Sequence, residues 1–332
     1  MENQKSSFMG APHLFILGAG ASRAALPHGD KFGRKLSLMS DFVETLRLEK
    51  TLKDWGIKYE GRNFETIYSE IHSEQKYQEL CFILESAIHS YFQTMRLPDY
   101  PTIYDHLVLS LRGKDIIATF NWDPFLFQAS QRNFKFTQDL PRMLFLHGNV
   151  AIGYCLKDKK YGPYRATCNE CGENFKPSTL LYPVEQKDYS NDGFIKAEWE
   201  DMKKALSKAY ILTIFGYNAP DSDVEAIELL KEGWGSPQKR NLEEVELIDI
   251  KNEDELHSKW QPFIHSHHYR ICNSFYDSFI TIHPRRSCEA MWDALMMCNP
   301  RPSNSLPVGL NFTGLHRWFE HLIQEEIAEK QN

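Results

Sequence analysis

Leu14-Phe15-Ile16-Leu17-Gly18-Ala19-Gly20-Ala21-Ser22-Arg23 decides the fold. An apolar run this short suits a strand covered on both faces. It passes straight into small residues and a helix start, the shape that brings backbone N–H groups against a phosphate. Side chains at positions 18 and 20 would block that approach. A full dinucleotide fingerprint is not reached, because Arg23 stands where a third glycine belongs. The acid that should follow about 20 positions later also fails, since Asp41 falls in a helix-like stretch. A dehydrogenase is therefore poorly supported, and a tight turn at a strand end stays open as the plainer reading.

Outward from this strand lie further short apolar runs at 116–120, 143–146, 210–215, 245–250 and 279–282. Longer amphipathic stretches separate several of them, at 36–52, 63–73, 77–95, 103–112, 197–207 and 224–231. This alternation predicts an α/β fold, a Rossmann-like doubly wound parallel sheet. The gap between the first two runs is too long for one crossover helix and predicts a large helical insertion at about 36–112. The stretch 148–190 is turn-rich, carries Cys155, Cys168 and Cys171, and predicts a small loop module. An irregular connection at 299–309 leads to a terminal helix at 315–329, with Leu315, Trp318, Phe319, Leu322 and Ile323 on one face.

Acidic residues outnumber basic ones by 45 to 38, a net charge of −7, which argues against a general polyanion binder. Arg285-Arg286 and the run from Lys157 to Lys160 are short basic stretches read as solvated surface, so direct nucleic-acid binding is not assigned. No stretch approaches the ~18–20 apolar residues of a membrane span. The polar start at 1–7 and the short run after it do not read as a signal peptide. Seven cysteines at low density, with one Cys-x-x-Cys pair, point to the reducing cytoplasm rather than a disulfide scaffold.

Two further runs end in polar clusters, Thr119-Phe120-Asn121-Trp122-Asp123 and Leu146-His147-Gly148-Asn149. Ligands of open parallel sheets sit outside the carboxyl ends of the strands. A lone histidine after a strand is usually structural, but three strand-end clusters in this order favour one shared crevice.

These pieces together resemble the sirtuins. The matching residues are Gly18-Ala19-Gly20-Ala21-Ser22, Leu26-Pro27 with Phe32-Gly33, Thr119-x-Asn121-x-Asp123, His147-Gly148, Phe215-Gly216-Tyr217-Asn218 and Ile248-Asp249-Ile250-Lys251-Asn252. They cover about 13–255, so 1–255 is expected to be the sirtuin-like domain and 256–332 the rest of the sheet with a helical extension. Asn63-Phe64-Glu65 and Leu181-Tyr182-Pro183 look more like the divergent sirtuin-like NAD-cleaving effectors of bacterial antiphage defence than like protein deacylases.

The resemblance implies NAD+ as a substrate cleaved at its nicotinamide–ribose bond, with Asn121 and His147 catalytic. Gly18, Ala19, Gly20, Ala21 and Ser22 would line the pyrophosphate. Asn121 and Asp123 would face the nicotinamide ribose, with Phe32, Thr119 and Trp122 in the same binding set. Gly216 and Tyr217 would lie on the adenine side, and Asp249 or Asn252 near the adenosine ribose. The residue types suit the chemistry. Nicotinamide leaves as a neutral molecule from a cationic glycoside, so little acid is needed, and the oxocarbenium-like sugar needs stabilising while a nucleophile is presented. An amide can orient water, and an imidazole can accept its proton.

Deacylases carry two Cys-x-x-Cys pairs around a structural Zn2+. Here Cys168-x-x-Cys171 is intact and the other pair is Cys155-x-x-Asp158. A Cys3Asp set is a permissible zinc environment, and a vestigial loop with free thiols is the alternative. Bulky Tyr217 after Gly216, where deacylases have a small hydroxyl residue, favours water as the acceptor. The expected function is NAD+ hydrolysis to nicotinamide and ADP-ribose, in a defence effector that acts as a homo-oligomer or with a hexameric ATPase or helicase-type partner. The alternatives are an NAD-dependent protein deacylase and a non-catalytic NAD or ADP-ribose sensor.

Overall fold

His13–Leu17 forms β1, and every one of its residues is buried. The computed structural model describes residues 10–331 apart from 185–188, 190, 221, 222 and 241. The polar start at 1–7 and most of the end of the cysteine-bearing stretch, at 185–190, lie outside the described residues. After β1 come α1 (Ala19–Ala25), α2 (Phe42–Thr45), α3 (Glu49–Asp54), α4 (Phe64–His72), α5 (Gln78–Gln93), α6 (Ile103–Ser110), β2 (Ile116–Thr119), α7 (Phe125–Asn133) and β3 (Arg142–Phe145). The chain continues through β4 (Ile152–Cys155), β5 (Lys160–Pro163), β6 (Lys176–Pro177), α8 (Gly193–Lys208), β7 (Ile211–Phe215), α9 (Val224–Trp234) and β8 (Glu244–Ile248). It ends with α10 (Glu253–Trp260), β9 (Tyr269–Cys272), α11 (Phe279–Ile282), α12 (Ser287–Met296) and α13 (Phe312–Gln331).

The main sheet runs β3-β2-β1-β7-β8-β9, with every neighbouring pair parallel. Parallel strands need crossovers, and helices on both faces supply them. Along β1, Phe15 and Leu17 pack into the core built by α2 to α6, whereas Leu14 and Ile16 pack into the core of α8 to α10. This period-two alternation into two apolar layers explains why the strand reads as an uninterrupted apolar run. Strand order reverses between β1 and β7, the switch point of a doubly wound sheet.

Two local expectations change. The run at 279–282 is the short helix α11, not a strand. The buried carboxylate of Glu246 accepts a hydrogen bond from Phe279 N at 2.7 Å and so satisfies its first turn. The sixth strand is β9, an edge strand whose Tyr269, Arg270 and Ile271 are only half-buried, so it carries no full apolar signature. The stretch 36–52 is not one helix. Asp41 accepts from Leu38 N at 2.6 Å in a turn, and Arg47, at φ 56, separates α2 from α3.

The insertion between β1 and β2 is helical, and its Phe42, Phe64, Tyr68, Leu84 and Phe92 join one core with Trp122. β5-β4-β6 form a separate three-stranded sheet around the cysteines. On α13, Leu315, Phe319 and Leu322 are buried. Arg285, expected on the surface, is 1% exposed. Its guanidinium donates to Glu326 Oε1 at 2.7 Å, to Asp139 Oδ2 at 2.8 Å and to the carbonyls of Leu109 and Leu111. A five-donor fork can satisfy so many buried acceptors at once, and it ties α13 to the sheet domain. No helix among the described residues is long and apolar enough to cross a membrane.

Candidate active site

β1 and β7 are adjacent, so the turns at their carboxyl ends meet. Gly18 N donates to Phe215 O at 3.0 Å, and Gly20 N donates to Gly216 O at 2.9 Å. A Cβ at position 18 would fall 2.4 Å from Tyr217 Cα, and one at position 20 would fall 2.8 Å from Gly216 Cα. Gly216 has φ +60, and its Cβ would fall 2.3 Å from Ala21 N. The three glycines are needed first for this backbone interlock. The N–H groups of Gly20 and Ala21 are both spent inside it, the latter on Gly18 O. Beside the interlock opens a cavity of about 970 Å3. Gly18, Ala19, Gly20, Asn121, Trp122, Asp123, His147, Gly216, Tyr217 and Asp249 all line it.

The orientation of Asn121 follows from its partners. Nδ2 donates to Gly18 O at 2.8 Å and to Ser22 Oγ at 2.9 Å. A carbonyl only accepts, so the NH2 end must point there. Ser22 Oγ donates to Asp123 Oδ2 at 2.7 Å. Its one hydrogen is thereby used, so Tyr104 Oη, 2.5 Å away, donates to it. Asn121 Oδ1 makes no hydrogen bond to protein among the described residues, which leaves an acceptor on a residue of the cavity wall. The backbone behind it is stitched to the next strand end, because Asn149 Nδ2 donates to Asn121 O at 3.2 Å and to Asp123 O at 2.6 Å. Burial pushes the Asp123 carboxyl up to about 6, although the bonds from Ser22 and Phe125 N oppose the shift. Burial likewise holds the Tyr104 phenol well above its ordinary value, and the Asp123 charge adds to this.

His147, 6% exposed, stands edge-on to Phe120 with ring centroids 4.7 Å apart. Its Nε2 lies 3.1 Å from Tyr189 Oη and 3.9 Å from Asp223 Oδ1. Tyr217 stacks on the same Phe120 at 4.1 Å and 7° and donates to Asp223 Oδ2 at 2.8 Å.

Most of the expected residues converge on this cavity, and five do not line it. Ala21, Ser22 and Thr119 stand behind the wall, where Thr119 Oγ1 accepts from Asn121 N at 3.0 Å. Phe32 is 67% exposed in a turn and is not part of the lining. Asn252 caps α10 by accepting from Glu255 N at 2.8 Å, which leaves Asp249 as the β8-end carboxylate on the cavity. Sequence reasoning missed Tyr104, Asn149, Tyr189 and Asp223. Asn149 does follow a strand-end His-Gly, but a tyrosine inside an amphipathic helix carries no signal of its own.

Cys155, Asp158, Cys168 and Cys171 place one ligand atom each within 4.8 Å of one another. Cys155 Sγ lies 3.6 Å from Cys171 Sγ and 3.4 Å from Asp158 Oδ2. Ligands about 2.3 Å from a tetrahedral zinc stand roughly 3.8 Å apart, so the donor set and its spacing fit Zn2+. Both arms turn alike. Gly172 follows Cys171 at φ 74, and Lys159 follows Asp158 at φ 53, which makes Cys155-x-x-Asp158 a second knuckle.

No protein-family model matches the chain, and no curated protein matches it significantly. Among solved structures it is similar to a Sir2 homologue in complex with NAD, at 11% identity and TM-score 0.35 over 88% of this chain and 91% of that one. It is similar to a Sir2 enzyme solved for mechanism and regulation, at 12% identity and TM-score 0.36 over 80% and 90%. A mutant Sir2 homologue in complex with ADP-ribose gives 10% identity and TM-score 0.36 over 98% of both chains. At such values the function of this chain rests on its own residues.

Proposed function

We propose that this chain hydrolyses NAD+ at the nicotinamide–ribose bond. The carrying observation is that Asn121 and His147 line one cavity beside Gly18 and Gly20. Asn121 Oδ1 accepts from the attacking water and His147 takes its proton. The water oxygen bonds to the anomeric carbon as the carbon–nitrogen bond breaks. That electron pair goes to the ring nitrogen and neutralises the pyridinium. The products are nicotinamide, ADP-ribose and a proton passed to solvent. Asp123, close to the sugar, favours its positive charge. Gly18, Ala19 and Gly20 face the pyrophosphate, and Asp249 the adenosine ribose.

Incubation with NAD+, with and without an acetylated peptide, tests the reading. Free ADP-ribose in both arms supports it. O-acetyl-ADP-ribose would mean a deacylase, and binding without turnover a sensor. In the same reading the chain is a cytoplasmic defence effector that depletes NAD+ when assembled with its own copies or with a hexameric ATPase. A monomeric sample that works at full rate contradicts that gating. The Cys3Asp module holds a structural Zn2+, which would tie its two knuckles together when bound.

A further inference from the structure

We propose that Asp223 is the positioning carboxylate of His147, holding the imidazole at the cavity and stabilising the charge the ring gains when it accepts a proton. This rests on the hydrolase reading. Asp223 precedes α9, is 4% exposed, and lines the same cavity as His147. Its two oxygens divide their work. Oδ2 accepts from Tyr217 Oη at 2.8 Å, and Oδ1 faces His147 Nε2 at 3.9 Å. The separation suits an ion pair and exceeds a hydrogen bond, as is common before substrate tightens a site.

Phe120 fixes both ends of this arrangement, since Tyr217 lies flat on it and His147 meets it edge-on. Around this pair stand two buried phenols, Tyr189 against the ring and Tyr217 against Asp223. Tyr189 and Tyr217 are kept protonated, first by burial and then by the charge of Asp223. Glu225 on α9 also acts on Tyr189, and Glu65 on α4 also acts on Tyr217. A base in so dry a place needs a counter-charge for its protonated form, and an oriented base gains from a third group behind it. Asp223 places a carboxylate oxygen 3.9 Å from Nε2, and its own position is pinned by Tyr217.

The test is Asp223→Asn, a substitution of nearly the same shape, followed by nitrogen NMR of the His147 ring in the substrate-free, full-length chain. At a fixed pH the ratio of imidazolium to imidazole is expected to fall about tenfold or more. In parallel kcat should fall by ~10²-fold or more while ADP-ribose affinity stays unchanged. An unchanged ratio overturns the assignment. If the variant does not fold, the wild-type chain decides. His147 keeping its proton to at least the pH of a free imidazole, about 6.5, supports the pairing despite burial, and earlier loss overturns it. NMR coupling in a chain that never cleaves NAD+ leaves the pairing standing and sinks only the hydrolase reading.

Discussion

Gly216→Ala tests the interlock on which the site is built. Its new methyl would meet Ala21 N at 2.3 Å and Gly20 C at 2.5 Å, against an ordinary contact of 3.4–4 Å. Both obstacles are backbone, so no side chain can swing aside, and the two strand-end turns must part by roughly 1 Å. Overpacking of this kind costs about 1–3 kcal/mol. The φ of +60 at this position adds about 1–2 kcal/mol for a residue with a Cβ. Together the loss is about 2–5 kcal/mol, which for a chain of this length lowers the melting temperature by roughly 3–7 °C. The displaced turn also carries Gly18 O, the acceptor that orients Asn121. A misplacement near 1 Å costs on the order of 10²-fold in rate. Gly309→Ala is the control, with φ +82 and nothing within 4 Å of its Cβ. It should lose only the about 1–2 kcal/mol of backbone strain and keep its activity. Thermal melts and nicotinamide release are read side by side. If Gly216→Ala melts with the control and turns over NAD+ at the wild-type rate, the interlock has no role.

His147→Ala and Asn121→Ala should each lower nicotinamide release by ~10²–10⁴-fold while the protein stays folded, and wild-type turnover in either removes that residue from the chemistry. Arg285→Met strands the nearly buried Glu326 without its partner and should cost about 3–5 kcal/mol, read by urea denaturation; a loss below about 1 kcal/mol would show that the pair is dispensable. Metal analysis of the purified chain should find zinc, lost on Cys168→Ser, and a metal-free wild type that melts normally would leave the thiols as a bare loop. Protonating Asp123 puts a proton where Ser22 needs an acceptor, so turnover should fall as pH drops through about 6. Asp123→Asn should then be slow at every pH, and a variant with a wild-type pH profile removes this carboxyl from the cause.

How much of this is legible in the sequence depends on burial. β1, β2, β7 and β8 announce themselves because most of their side chains meet apolar layers on both faces, and the edge strand β3 is legible from its buried Leu144 and Phe145. β9 lies at the edge and is half-covered, so its residues need not be apolar. Phe279–Ile282 has the composition of a strand, but a buried carboxylate one strand away offers its first N–H a partner and the segment coils. Asn121, His147 and the glycine pair are readable because strand ends in a parallel sheet must converge. Tyr104, Tyr189 and Asp223 reach the cavity region from a helix, a loop and a helix start far along the chain, and only the tertiary path brings them in. The burial of Arg285 depends equally on long-range partners, Asp139 and Glu326, that no local pattern discloses.

The proton chain explains why an amide, and not an acid, stands at position 121. Gly18 O and Ser22 Oγ both require a donor from that side chain, and a carboxylate has none to give. Ser22 has its hydrogen committed to Asp123 and both lone pairs occupied, so turning the amide over would set Oδ1 against two acceptors, Gly18 O and Ser22 Oγ, and forfeit both hydrogen bonds. The one degree of freedom an asparagine normally keeps is thereby removed, and Oδ1 is presented to the cavity in a fixed direction. In the proposed hydrolysis the leaving group departs neutral and needs no proton, so that reaction has no use for a general acid at this place. What it needs is an acceptor that aims a water and a base that takes the proton as the bond forms. In the proposed hydrolysis the locked amide of Asn121 and the ring of His147 would supply those two functions from adjacent strand ends.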